Sequence, residues 1–412
     1  MNDSRRRRSV AASCLAVTGA LLAAGCGGEA AGSSTQTSEL KGKPVKVMVW
    51  NPEDTQGSAQ PGVRLTAQAY EKWINAHGGI KGGPLKVLTC NEKNDPDEAE
   101  KCAQQAVADK VVAVVGSYSL AGDRYMPILQ KAGIPYLGGT GVSAAEFSNP
   151  LSFPVNGGTP AVFAAHGRQL VKEGCKKISG VRYDLAAAAI VSQFLTLGAT
   201  SAGGAPPKDL KVPVTATDLA PQVAAATKGS DCVSVILGTH SDLFVKAYVQ
   251  SGAKTKLGSV VGNLTPELAQ STGGSGGPLE GAAITGYYPP TSDAVWKTFV
   301  SAAKGTDIDT SNGANETTWV AFKVFTEAVK KLTKVSSNAL VHELNTTSGI
   351  PTGGLTPPLT WKASTALHIK GLNRIHNTTA TELAIRDGKI VWAKKGSTFV
   401  DVRKVLTAMS AG

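Results

Sequence analysis

The sequence predicts an α/β fold made of two doubly wound parallel-sheet units in tandem. From Val45 onward, short runs rich in β-branched residues alternate with helix-length segments of 3.6-residue apolar periodicity. The same alternation starts again at Lys177, and Cys175 and Cys232 each stand just before a strand that such a sheet would make neighbours.

Val45 to Trp50 reads as the first strand. Val63, Ala67, Tyr70 and Ile74 then recur at helical spacing until Gly78 and Gly79 stop the helix, and Leu85 to Thr89 is the second strand. Asp95, Pro96, Asp97 and Glu98 open the next helix: Asp95 caps, Pro96 fills the first turn, and Glu98 is placed to reach back as in a capping box. That helix runs to about Asp109. Val111 to Val115, Ile134 to Leu137 and Leu151 to Val155 are the third, fourth and fifth strands.

In the second unit Lys177 to Val181 reads as a strand, Leu185 to Leu197 as a helix, and Val212 to Ala216, Val233 to Leu237 and Val260 to Gly262 as strands. Strands one and three of an order 2-1-3-4 sheet lie about 4.8 Å apart. That suits a bridge between Cys175 and Cys232, since disulfide Cα atoms sit about 4.4 to 6.8 Å apart. Of the six cysteines, Cys14 and Cys26 belong to the N-terminal segment, and the remaining four allow three pairings. The strand reading favours Cys90 with Cys102 and Cys175 with Cys232, and no CxxC or HxxxH spacing supports a zinc site instead. Farther on, Trp319, Phe322, Phe325, Val329 and Leu332 mark the buried face of a long helix, and Glu382 to Ala393 reads as a hairpin turning at Asp387 and Gly388.

The N-terminus has a different character. Arg5 to Arg8 precede an apolar run from Val10 to Leu22 that is too short to span a bilayer and ends at Ala23, Ala24, Gly25 and Cys26. This order is that of a secretory signal. With Cys26 at the cut site it resembles the lipobox of bacterial lipoproteins, in which the cysteine thiol takes a diacylglycerol group. Residues 1–25 are therefore expected to be a signal peptide and 26–41 a flexible tether of small and polar residues. The expected location is the outer face of the cell membrane, with a lipid anchor.

Without residues 1–25 the chain carries 38 basic and 30 acidic residues, a modest and scattered balance of +8. No basic cluster interleaves with aromatics, which argues against a nucleic-acid partner. No GxGxxG follows the first strand, so a dinucleotide is not expected, and no cofactor is implied. Gly273-Gly-Ser275-Gly-Gly277 formally matches GxSxG, but Ser275 lies in a glycine loop rather than between a strand and a helix, which leaves an anchored hydrolase a weak alternative.

Three blocks carry a resemblance: Ile74-Asn-Ala-His-Gly-Gly-Ile-Lys-Gly82, Asn94-Asp-Pro-Asp-Glu-Ala99, and Val111-Val-Ala-Val-Val-Gly-Ser-Tyr-Ser119 followed by Ala132-Gly-Ile-Pro-Tyr136. They resemble the branched-chain amino acid type of periplasmic binding protein, the extracellular ligand-binding receptor family, whose members feed ABC importers. The resemblance is specific over residues 42 to 160 and continues as element order beyond. It implies two lobes joined by a three-strand hinge, with lobe 1 at 42–157 and 290–350 and lobe 2 at 158–289 and 351–412. It also implies a monomer that is not an enzyme, with a small polar solute and a membrane permease as partners; a sensor presenting the same lobes to a signalling receptor is the alternative. In amino acid binding relatives an acid after the fourth strand of the second lobe holds the ammonium. Here that stretch reads Gly262-Asn-Leu-Thr265, which leaves amides and urea-like solutes open beside amino acids.

Candidate ligand contacts follow from topology alone, because open α/β sheets bind beyond the carboxyl ends of their strands. In lobe 1 these are Ser117, Tyr118 and Ser119 after the third strand, and Gly139 and Thr140 after the fourth. Small residues there let backbone N–H groups approach, and hydroxyls supply hydrogen bonds. In lobe 2 they are Tyr183 and Asp184, then Thr239 beside His240, then Asn263, with Tyr287 at a crossover. Each hydroxyl or carboxylate can equally serve as a helix cap.

Overall fold

The computed structural model describes residues 40–55, 59–185 and 188–408; the signal, most of the tether and Cys26 lie outside the described residues. The first sheet has the order β2-β1-β3-β4-β5, all parallel, from β1 (Val45–Asn51), β2 (Leu85–Asn91), β3 (Ala113–Val115), β4 (Tyr136–Leu137) and β5 (Ser152–Phe153). Between these strands run α1 (Pro61–Ala76), α2 (Pro96–Ala108), α3 (Gly122–Ala132) and α4 (Ala144–Ser148). Helices cover both faces, which is why β1 is apolar without a break from Val47 to Trp50. Val45, Val47 and Val49 face α1, whereas Met48 and Trp50 face α2 and α3.

The second sheet runs β7-β6-β8-β9-β10 in parallel, from β6 (Ile178–Tyr183), β7 (Lys208–Val212), β8 (Cys232–Ile236), β9 (Lys256–Val260) and β10 (Ala283–Gly286). Its helices are α5 (Gly158–Lys172), α6 (Ala189–Ser201), α7 (Ala220–Thr227), α8 (Ser241–Ser251) and α9 (Pro266–Ser271). The chain then returns to the first sheet with α10 (Lys297–Ala303), α11 (Gly313–Lys330) and α12 (Ser337–Thr346). On α11, Trp319 packs edge-on to Tyr70 of α1, and Thr326 accepts a hydrogen bond from the Tyr70 hydroxyl at 2.9 Å. The antiparallel pair β11 (Thr379–Arg386) and β12 (Lys389–Trp392) completes the second sheet. Asp387 and Gly388 both have positive φ, as a two-residue hairpin turn requires. The short β13 (Val400–Asp401) pairs with β11, and α13 (Arg403–Thr407) follows.

Both expected disulfides are present, with Cα separations of 5.7 Å for Cys90–Cys102 and 5.8 Å for Cys175–Cys232. The Asp95 cap also forms, accepting from the backbone N–H groups of Asp97 and Glu98. Glu98 does not reach back, however. Its carboxylate pairs with Lys101 one turn on.

Most strand ends fall within two residues of the sequence reading, and four features depart from it by four residues or more. The strand expected at Val212 to Ala216 is β7, at Lys208–Val212: it is an edge strand, and alternating charged residues replace an apolar run. The strand expected at Val260 to Gly262 ends at Val260, because it begins early, through Gly258 and Ser259. The helix expected from Leu185 begins at Ala189. The passage back to the second sheet, expected at residue 351, lies near Asn377. Before that point Trp361 donates to the Pro154 carbonyl at 3.0 Å, and Arg374 donates to the Ser152 carbonyl at 2.8 Å while lying over the Phe153 ring. Those bonds hold residues 361–374 on the β5 edge.

Three chain passages connect the sheets and are bonded to one another: Val155–Gly158, Gly286–Pro290 and His376–Thr381. Asn377 donates to the Val155 carbonyl at 3.0 Å, Thr381 donates to the Tyr288 carbonyl at 2.7 Å, and Asn156 donates to the Tyr288 hydroxyl at 2.9 Å. These three strands form the hinge.

Candidate functional site

In the first lobe the loops after β1, β3 and β4 meet the N-terminal half of α11. Gly116 follows β3 with φ +68°, and a Cβ there would lie 2.9 Å from the Cα of Thr318. With no side chain in the way, Thr318 donates to the Gly116 carbonyl at 2.7 Å, which fastens α11 at the carboxyl edge of the sheet. Asn312, the cap of α11, donates to the Gln60 side chain at 3.4 Å, and Gln60 itself precedes α1.

The predicted lobe 1 residues come together, in differing roles. Ser117 Oγ accepts from the Trp50 backbone N–H at 3.1 Å, bracing β1 against the loop. Ser119 Oγ donates to Glu92 at 3.1 Å and accepts from the Ala121 N–H at 3.1 Å, so its hydroxyl holds the loop together. Burial raises the Glu92 carboxyl despite that hydrogen bond. Tyr118 is half-buried against the main core. Gly139 is packed against Tyr136 and Glu146 and has no room for a side chain. Thr140 is 7% exposed; its N–H is bonded to the Ser117 carbonyl at 3.2 Å, while its Oγ1 has no partner among the described residues.

In the second lobe Tyr183 ends β6, donates its hydroxyl to the Leu237 carbonyl and meets the His240 ring edge-on at 5.6 Å. His240 Nδ1 and Ser241 Oγ, at the start of α8, are buried without a partner among the described residues. Asn263 accepts from the Gly238 N–H at 2.9 Å, tying the loops after β8 and β9 together. Asp184 turns outward to Lys211 at 3.6 Å, an exposed pair, and so does not line the inner wall. The side chain of Thr239, also predicted as a contact, lies outside those the structure describes.

Between the walls, at the hinge, Tyr287 is 9% exposed, and burial raises its phenol, with smaller contributions from Tyr118 and Glu316. Sequence reasoning missed Glu316, Asn156, Ser241 and Val261. Of these, Val261 alone carried a signal, as a residue of the expected strand Val260 to Gly262; it follows β9 directly. Four surface hollows of about 430 to 980 Å³ lie away from these loops, the one of about 980 Å³ between α1 and α10; none of the four is lined by a predicted contact. No cluster of three or more His, Cys, Asp or Glu side chains occurs among the described residues that would hold a metal.

The architecture has known counterparts. A leucine binding protein from Thermotoga maritima MSB8 superposes with a TM-score of 0.67 at 18% identity, over 87% of this chain and 99% of that one. A fatty acid ABC transporter substrate-binding protein from Thermomonospora curvata gives 0.71 at 14% identity, over 88% and 94%. An ABC transporter solute binding protein from R. palustris, in complex with 4-hydroxybenzoate, gives 0.68 at 17% identity, over 87% and 97%. At these identities the likeness concerns the fold. No curated protein sequence matches the chain. The family model described as periplasmic binding protein matches residues 52–369, more than three quarters of the sequence, and the chain belongs to that family.

Proposed function

We propose that the protein is a lipid-anchored solute-binding protein on the outer face of the cell membrane, which captures a small solute by lobe closure and hands it to an ABC importer. One observation carries this reading: polar atoms at the carboxyl ends of both sheets have no partner among the described residues, Thr140 Oγ1 on the first lobe and His240 Nδ1 and Ser241 Oγ on the second. A buried hydrogen-bonding group without a partner costs about 1 to 3 kcal/mol, so three of them at the carboxyl ends of two sheets favour a binding role. Solute docks against the first lobe and the second closes over it, turning on the three hinge strands. Closure shifts the population only by the solute's differential affinity for the closed form, and it calls for no covalent step.

Two measurements test this. A thermal-shift screen of amino acids, amides, ureas and short-chain acids is expected to return a stabilising class, since a ligand of the native state raises its stability with the logarithm of concentration over Kd. For that ligand, calorimetry is expected to show about threefold to tenfold weaker binding in Thr140→Ala and in Tyr183→Ala, the loss of about one hydrogen bond each. Unchanged affinity in both variants would move the site elsewhere. In cell fractionation, Cys26→Ser is expected to abolish lipid attachment at the membrane; a variant still recovered there in lipid-modified form would rule out the Cys26 anchor.

A further inference from the structure

Glu316 is 5% exposed, sits in the first turns of α11, and has no hydrogen bond or ion pair to its carboxylate among the described residues. Its neighbours on the helix show where it points. Gly313 lies one turn earlier on the same face, and a Cβ at Gly313 would stand 3.0 Å from Val261 Cγ2 and 3.5 Å from the Tyr287 ring. Gly313 thus lets Val261 and Tyr287 pack directly on the first turn of α11, and Glu316, one turn on, acts electrostatically on the Tyr287 and Tyr288 phenols. Val261 follows β9 and is only partly buried, as is Tyr118 across from it. The carboxyl group therefore lies beside the passage Gly286–Pro290, with Tyr287 and, through it, Tyr118 and Val261 as its aromatic and apolar surroundings.

The charge around it has one sign. Burial, and then Asp309, push the Glu316 carboxyl well above the usual carboxylate range, and the titratable groups facing it are Asp309, Tyr287 and Tyr288. Arg64, on the neighbouring helix, is engaged with Glu53 at 2.6 Å and 3.0 Å. A second acid and tyrosine π-faces disfavour an anion and favour a cation.

Resting on the solute-binding reading above, we infer that Glu316 is a specificity-determining residue that receives the ammonium group of the solute between Tyr118 and Tyr287. The solute class is thus a small organic amine with an apolar or aromatic body. On binding, the ammonium stabilises the carboxylate against the burial and the Asp309 charge that raise it, so uptake drives the group's proton toward solvent.

The test is calorimetry of the full chain at pH 7 with isoamylamine and benzylamine, the amides isovaleramide and benzamide, and the carboxylates isovalerate and benzoate, in two buffers of different ionisation enthalpy. At least one amine is expected to bind, at least tenfold tighter than its amide and carboxylate, with a buffer-dependent enthalpy. In Glu316→Gln that affinity should fall about tenfold to a hundredfold, the worth of a charge-assisted hydrogen bond, and the buffer dependence should vanish. An amide or carboxylate binding as tightly as the amines, or unchanged amine affinity in Glu316→Gln, overturns the inference while leaving solute capture standing. If no amine binds the wild-type chain the inference also fails, and the wider screen above then decides the solute-binding reading separately. The wild-type series needs no variant, so a misfolded Glu316→Gln does not shelter the idea.

Discussion

Replacing Cys175 and Cys232 together with alanine is expected to lower the unfolding free energy by about 4 kcal/mol, against about 3 kcal/mol for the Cys90 and Cys102 pair, on the chain-entropy account of cross-links. The difference follows from loop length: the first bridge spans 57 residues of separation and the second spans 12. The longer bridge also sits where β6 and β8 begin their ladder, at Ile178 opposite Cys232. Those two strands carry Tyr183 and the Gly238–His240 turn at their other ends, more than one strand length from the sulfurs. Affinity in the folded fraction should therefore hold while stability falls. Urea unfolding of the two double variants and the parent checks this, and coincident midpoints for all three would show that neither bridge limits the denatured chain.

The parts of the fold that were legible before any coordinates are those where burial leaves a continuous mark. β1 lies between helix layers, so Val47 to Trp50 are all buried and the run of apolar residues announces itself. β7 is the opposite case. At the sheet edge Lys208, Asp209 and Lys211 are exposed, and Arg182 on β6 supplies the pairing charge for Asp209 at 2.7 Å, so the strand looks like a surface loop. Residues 361–374 show no period at all; their place is decided by Trp361 and Arg374 reaching across the chain to Pro154 and Ser152.

The site divides along the same line. Loops after β3, β4, β6 and β8 could be named because strand order alone puts them at one edge. Which hydroxyls remain available there could not, because Ser117 and Ser119 are spent on Trp50, Glu92 and Ala121, whereas Thr140, of similar chemistry, is not. Glu316 was hidden for a different reason: an acid in the first turn of a helix is ordinary dipole chemistry, and only the approach of Tyr287 and Val261 to Gly313 makes it unusual.

Asn156→Ala is expected to cost about 3 kcal/mol and to alter solute affinity from a position outside both walls. The Asn156 amide donates to the Tyr288 hydroxyl at 2.9 Å and to Thr317 Oγ1 at 3.2 Å, and its carbonyl accepts from the Gly158 N–H at 2.9 Å. Three connections meet at that one side chain: the first hinge strand, the second hinge strand, and α11, which carries Glu316. Truncation leaves a buried N–H at Gly158 and weakens the remaining Tyr288–Thr317 bond, and each stranded group costs about 1 to 3 kcal/mol. Tyr288→Phe removes one hydroxyl from the same cluster and keeps the ring, which is 1% exposed and packs edge-on to Trp296, so about 1 kcal/mol is expected there. If the cluster sets the balance between open and closed lobes, both variants should change Kd for the solute found in the screen, with Asn156→Ala the larger. Unfolding midpoints give the stability order, and small-angle scattering with and without solute gives the closure. A pair of variants that lose stability in that order yet close and bind like the parent would leave Asn156 a packing residue and put the control of the hinge elsewhere.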